Sequence, residues 1–422
     1  MKKKIKFILI PALILSIILG SFFLYKQKYA SQKKSAEKNY IDSLYYSFSI
    51  DRLRFKFSKY GAIENYKDKI IYVSGDSEFF LIDTQKNKEK TYEVLQLKIP
   101  IIDNKKDKFV KNNFNELGED ARLFFNIKDV FVGTFNDPKN QFIIISSLKY
   151  LEEKNCYNLS LYKAKIIESN NLNIKEWDNF FSTQPCLDIN LTENPKFAAA
   201  SAGGRIFKLD EENILLTVGD FFADGVNGPI LSQDAKNDYG KILKINIENK
   251  DYSIYSYGHR NPQGLYVDSK KNIFASEHGP DRGDELNLIL ENKNYGWPIA
   301  TFGVNYGSKK WSLDKTNGSH DNFEKPIYSW GNQFAASSIF VYNNKYLQKW
   351  KDNILVSSLG TKKISRITFN KKKKSVISNE NIQIGKRIRD IIGLKDGRIV
   401  LLTDPEDLKD NTQIMIIEKL DD

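Results

Sequence analysis

The chain has 422 residues and a net charge of +11. Its 41% hydrophobic and 13% aromatic content suffices for a full core and excludes a chain disordered over most of its length. Eight of the eleven excess positive charges are lysines within residues 1–34, where no acid occurs, so the remainder carries +3 and no concentrated patch for a nucleic acid.

Residues 1–29 open on a basic head followed by Phe7–Leu24, 18 residues without a charge. That is near the minimum for a helix crossing a bilayer. Phe22, Phe23 and Tyr25 end the run where a secretory signal would show small residues. The segment predicts a transmembrane helix acting as signal anchor, with the lysine-rich head inside and the body exported, on the periplasmic side in a Gram-negative cell. A cleaved signal peptide is the other reading and exports the body equally. Residues 30–46 are polar and lysine-rich and read as a stalk.

From residue 47 to 422 the chain is a series of short β-rich runs bounded by Gly, Asp and Asn: KIIYVSG (69–75), FFLID (79–83), FIIISSL (142–148), NILLTVG (213–219), NIFASE (272–277), NILVSSL (353–359), RIVLLTD (398–404) and QIMIIEKL (413–420). Cys156 and Cys186 admit a disulfide in an oxidising compartment or two buried thiols. Lys371–Lys374 reads as a solvated hairpin tip between two strand-like segments.

Four stretches share one grammar of apolar strand, polar turn and second apolar strand ending in small or polar residues: 206–220, 264–279, 339–360 and 391–404. Such copies, tens of residues apart, predict an all-β fold, a β-propeller of six blades. Radial stacking would bury both faces of each small sheet and gather the residues after the strands, Gly219-Asp220 and Glu277-His278-Gly279-Pro280, at one mouth. A pair of β-sandwiches is the structural alternative.

The segments GHRNPQGL (258–265), EHGPDRGDELNLI (277–289), NYGWP (294–298), FGVNYG (302–307), FEKPIYSW (323–330), DNILVSSLG (352–360) and RIRDIIGLKDGRIVLLTD (387–404), with GGRI (203–206) and LLTVGD (215–220), resemble the pyrroloquinoline-quinone (PQQ) dependent aldose sugar dehydrogenases, the glucose/sorbosone dehydrogenase family. The resemblance runs from about Ala200 to Asp404 and implies a six-bladed propeller that oxidises a sugar at its anomeric carbon. It implies that Arg260 and Asn261 contact the quinone carbonyl region of PQQ and that Arg387 and Arg389 pair with the cofactor's carboxylates, as arginine forks can. Strand alternation independently puts Arg387 and Arg389 on one face. The resemblance further implies calcium on the backbone carbonyls of Gly279 and Pro280, oxygen donors of the hard kind calcium takes. His259 and His278 read as structural histidines, His320 carries no assignment, Glu285 orders a loop or serves another calcium, and NYGWP reads as a folding device.

One position departs from the family pattern. The base, a histidine in an H-x-G-G-R segment, is replaced by Ser201 in SAGGR, while the carboxylate that would orient it remains as Asp220. Serine is a poor proton acceptor at neutral pH, and general-base help is worth roughly 10²–10⁴ in rate. Phe221, Phe222 and Ala223 follow where the family is more polar, which predicts a more apolar lip. Three readings follow: a dehydrogenase with a replacement base (Asp220 or His278), an exported propeller that binds its ligand without turnover, and a structural protein. SAGGR is not G-x-G-x-x-G and no βαβ unit surrounds it, so no nicotinamide cofactor is expected. The expected partners are a sugar and, through the N-terminal helix, a membrane.

Overall fold

The computed structural model describes residues 39–420 apart from 88–90, 119, 136–139, 168–171, 194, 308–309, 317 and 371–374. Residues 1–41 and 42–422 are separate compact units. The expected transmembrane helix and most of the expected stalk lie outside the described residues, as do Lys371–Lys374. Among the described residues no helix is long and apolar enough to cross a membrane.

The body is a six-bladed propeller. The strands nearest the axis are Gly61–Tyr66, Asp129–Thr134, Gly203–Lys208, Pro262–Val267, Ala336–Val341 and Ile388–Gly393. Each packs on the next, and the last packs on the first, so the ring is closed. The last blade mixes chain ends: Ser47–Phe55 pairs antiparallel with Thr412–Lys419, which continues through Ile399–Thr403 to Ile388–Gly393.

Each of the four repeated stretches is the innermost hairpin of a blade. The second strand of each is buried on both faces, which is why it reads as a continuous apolar run rather than an alternating one. In Asn213–Val218 the even positions Ile214, Leu216 and Val218 join Leu159 and Leu161 of the preceding blade, whereas Leu215 joins Leu265 and Ala275 of the following one.

The chain ahead of Ala200 supplies the two remaining blades: Gly61–Leu97 in four strands, and Asp129–Thr134, Gln141–Leu151 and Cys156–Ile167 with short strands outside them. Between these blades lie two helices, Lys106–Leu117 and Asp120–Phe124, not foreseen from the sequence. Their Phe109, Leu117, Ala121 and Phe124 pack with Tyr150 and Tyr157 in the core.

Cys156 and Cys186 form a disulfide, 30 residues apart, beside the pairing of Cys156–Tyr157 with Leu187–Asp188. A loop of that size is worth about 3–4 kcal/mol on the chain-entropy account. The double variant Cys156→Ser/Cys186→Ser is expected to lose about 3 kcal/mol in equilibrium denaturant unfolding. An unchanged midpoint with unchanged slope would show that the strand pairing alone holds this edge.

Candidate active site

Ser201 ends a short helical turn (Ala199–Ser201) ahead of Gly203–Lys208, and Asp220 follows the neighbouring strand Asn213–Val218. Gly219 lets the two segments meet, since a Cβ there would lie 1.9 Å from the Ser201 carbonyl oxygen. Ser201 Oγ donates to Asp220 Oδ1 at 2.7 Å, the Phe222 N–H donates to the same oxygen at 2.9 Å, and Trp297 Nε1 donates to Oδ2 at 2.8 Å. The carboxylate therefore has an orienting network although no histidine is present. Burial pushes Asp220 up to about 6, against the lowering field of Arg260.

The Asp220 N–H donates to the Arg260 carbonyl at 2.8 Å, which ties this carboxylate to the HRNP turn. The Arg260 guanidinium lies between Phe222 and Trp297, 5.3 and 5.4 Å from their ring centroids. Its Nη1 donates to the Gly279 carbonyl at 2.8 Å. Asn261 Nδ2 donates to the Ala200 carbonyl, and its Oδ1 accepts from Gly203 N–H and from Gln263 Nε2. Gln263 Oε1 in turn accepts from Arg389 Nη1 at 3.3 Å.

Arg387 and Arg389 converge on one acid, although Arg387 precedes the strand Ile388–Gly393 and the register shifts between Ile388 and Asp390, so regular alternation is not what aligns them. Both reach Asp404 Oδ2 at 3.1 Å, and the Arg389 guanidinium stands 4.7 Å from the Tyr60 ring centroid. Burial would raise Asp404, but Arg389 and then Arg387 overcome it and hold the carboxyl below the usual range. The structure thus joins Ser201, Asp220, Arg260, Asn261, Arg387 and Arg389 in one polar network at one mouth of the ring.

Several buried nitrogens at this mouth have no hydrogen-bond partner among the described residues: Arg260 Nε, Arg389 Nε, His278 Nε2 and Lys128 Nζ. Burial, reinforced by Arg260 and Arg389, pushes His278 down to about 3, so the imidazole is neutral. Three of these, Arg260 Nε, Arg389 Nε and Lys128 Nζ, are buried donors on cationic side chains, which are costly when left open in a ligand-free protein and suit an anion with several acceptor oxygens; the neutral His278 is not one of them. The donor set fits a flat, multiply acidic group.

The Gly279 carbonyl, one of the two expected calcium donors, accepts from Arg260 Nη1 and keeps a second lone pair. Among the described residues no cluster of three or more His, Cys, Asp or Glu could hold a metal.

Other readings resolve locally. His259 bridges Ser256 Oγ and Glu277 Oε1 at 2.8 and 3.0 Å, a structural role. Glu285 lies in the strand Asp284–Ile289 rather than a loop and is buried, with Asn287 Nδ2 at 3.3 Å and His320 Nε2 at 3.4 Å. NYGWP is more than a folding device, because its Trp297 holds Asp220. Of the three residues expected at the lip, Phe222 is half-buried beside Phe197, whose exposure is 47%, whereas Phe221 and Ala223 are fully buried and Phe221 packs in the core. Sequence reasoning missed Trp297, Gln263, Asp404, Tyr60 and Lys128. Asp404 alone carried a signal, since it follows its strand as Asp220 does.

A closed ring of six small antiparallel sheets with arginines gathered at one mouth defines a β-propeller. A family model for glucose/sorbosone dehydrogenases matches residues 138–415, and the chain belongs to that family. The match begins well before Ala200 and takes in the blade of Cys156. Aldose sugar dehydrogenase YliI of Escherichia coli is 35% identical over 153 residues, covering 36% of this chain and 41% of that protein. Quinoprotein glucose dehydrogenase B of Acinetobacter calcoaceticus is 27% identical over 228 residues, covering 39% and 48%. The chain spans about half the length of the curated relatives it matches. The PQQ-bound structure of aldose sugar dehydrogenase from Streptomyces coelicolor superimposes with a TM-score of 0.59 over 88% of this chain and 98% of that one, at 20% identity, a likeness of fold.

Asp404 is the anion that holds two arginines in place without ligand. Asp404→Asn is expected to cost about 3 kcal/mol near neutral pH, as breaking a buried pair does. Because its carboxyl is depressed in the folded state, this contribution is present above the ordinary carboxylate range and is lost as pH falls through it. Stability of wild type and variant should therefore converge on acidification; a constant gap in acid titration of the unfolding free energy would refute the role.

Proposed function

We propose that this chain is a PQQ-dependent sugar dehydrogenase in which Asp220, acting through Ser201, accepts the substrate's hydroxyl proton. The observation that carries the reading is the pair of buried guanidinium nitrogens, Arg260 Nε and Arg389 Nε, without a partner among the described residues at the mouth of a propeller of this family. Arg387 and Arg389 would hold carboxylates of the cofactor, and Arg260 with Asn261 its carbonyl edge. When bound, the quinone supplies a two-electron acceptor for the hydride leaving the sugar's anomeric carbon.

The proton is left to the chain's own residues. Both Asp220 oxygens already accept hydrogen bonds. A substrate hydroxyl therefore hands its proton to Ser201 Oγ as the serine passes its own to Asp220 Oδ1. Serine alone is too weak a base, but a carboxylate pushed up to about 6 is ionised at neutral pH and a better acceptor than an ordinary one. Export of the body is supported by the Cys156–Cys186 disulfide, which suits an oxidising compartment. We assign membrane attachment to residues 1–29. The Gly279 and Pro280 carbonyls would hold calcium, the Gly279 oxygen through the lone pair that Arg260 does not use.

One observation favours a second reading, an exported propeller that binds the acidic ligand without turnover: Ser201 and Asp220 are each only 1% exposed. The PQQ-loaded body (residues 35–422), supplied with calcium and aldoses, separates the two through reduction of an artificial dye. The enzymatic reading expects turnover whose kcat rises with pH through about 6, because the base must be deprotonated. Asp220→Asn should lower kcat by roughly 10²–10⁴ with PQQ affinity retained. Tight PQQ binding with no turnover in wild type, gained on Ser201→His, would leave the binding reading standing.

A further inference from the structure

Lys128 is the one cation at the mouth with neither a side-chain acid nor a carbonyl as hydrogen-bond partner among the described residues, and it belongs to a blade that carries none of the expected site residues. It immediately precedes the axial strand Asp129–Thr134. Its position is set by backbone: its N–H donates to the Ser146 carbonyl at 2.9 Å, and Ser146 Oγ donates to the Gly204 carbonyl. Gly204, at φ +103°, is required at this approach, since a Cβ there would lie 2.6 Å from Lys128 Cβ. The residue is 8% exposed, and its Nζ is buried, 4.0 Å from the Tyr60 ring centroid. Arg389 stands over the same ring.

Two cations thus share one aromatic ring, and the acid that acts on Lys128, Asp404, is already shared by Arg387, Arg389 and the Tyr60 N–H. Burial, then Arg389 and Lys106, pushes the ammonium down to about 7. An apolar side chain would fill this place without that cost. A lysine held here by backbone, beside an arginine pair and open at Nζ, is explained if an anion completes the site.

We propose that Lys128 is a third cationic contact for the carboxylates of the acidic cofactor, donating from Nζ beside those held by Arg387 and Arg389. The inference rests on the reading of the mouth as a PQQ site and adds a further blade, that of Asp129–Thr134, to the cofactor contacts. It makes ligand binding a link across the ring, from the axial strand at Asp129 to that at Ile388. A charge-assisted hydrogen bond of this kind changes affinity by about tenfold to a hundredfold.

The test is direct titration of the apo body with PQQ, followed by quenching of tryptophan fluorescence, alongside thermal unfolding of the ligand-free proteins. Lys128→Met is expected to bind about tenfold to a hundredfold more weakly and to unfold at the same or a higher temperature when ligand-free. Lys106→Met, which removes a neighbouring surface charge paired with Asp76, should leave affinity unchanged within about twofold. Wild type binding PQQ and Lys128→Met binding it equally well would overturn the assignment while leaving the proposed function intact. An equal loss in Lys106→Met would overturn the direct contact in favour of a general field. Failure of wild type to bind PQQ would remove the functional reading and this contact together. Should Lys128→Met not fold, Lys128→Gln is expected to show the same loss and Lys128→Arg to retain binding, and the reverse order would sink the proposal.

Discussion

Eight register pairs between Ser47–Phe55 and Thr412–Lys419 join the first strand of the propeller to the last, and every other spatial relation in the body depends on that closure. Without it Ile388–Gly393 would have no fixed place beside Gly61–Tyr66. Arg389 then could not stand over Tyr60, and the Tyr60 N–H could not reach Asp404. Closure also removes exposed apolar faces: Val400, Leu402, Ile414 and Ile416 are covered by Ile70, Tyr72 and Ile82 of the next blade.

The mouth is organised by two buried carboxylates that play opposite parts. Asp404 is held ionised by Arg389 and Arg387 and keeps them pointed inward. Asp220 is pushed upward by burial and kept in place by Ser201, Trp297 and the Phe222 amide. One carboxyl fixes two arginines, and the other is raised by burial while three donors hold it in place.

Much of the fold was legible because blade interiors impose simple demands. A strand buried on both faces must be apolar throughout, and Ile399–Thr403 or Ile354–Ser358 announces itself for that reason. That Arg387 and Arg389 meet was anticipated from alternation, but it is the shared Asp404, across a register shift at Arg389, that brings them together. Trp297 and Lys128 were not legible. Trp297 lies 77 residues from Asp220, and its indole N–H meets that carboxylate only after two blades stack. Lys128 precedes an ordinary strand and is one lysine among many until burial strips its water away. The two helices between the first blades were missed because their apolar residues pack on neighbouring strands rather than forming one long periodic face.

By itself the sequence determined the strands, the four innermost hairpins, the family segments, the serine at the base's position and the cysteines available for pairing, because each of these is a property of residues close together in the chain. Only the tertiary structure decided which cysteine chemistry was used, that Gly279's carbonyl faces Arg260, and that four nitrogens at one mouth lack partners. Those outcomes depend on where solvent is excluded and which blades touch, and ring closure sets both across hundreds of residues.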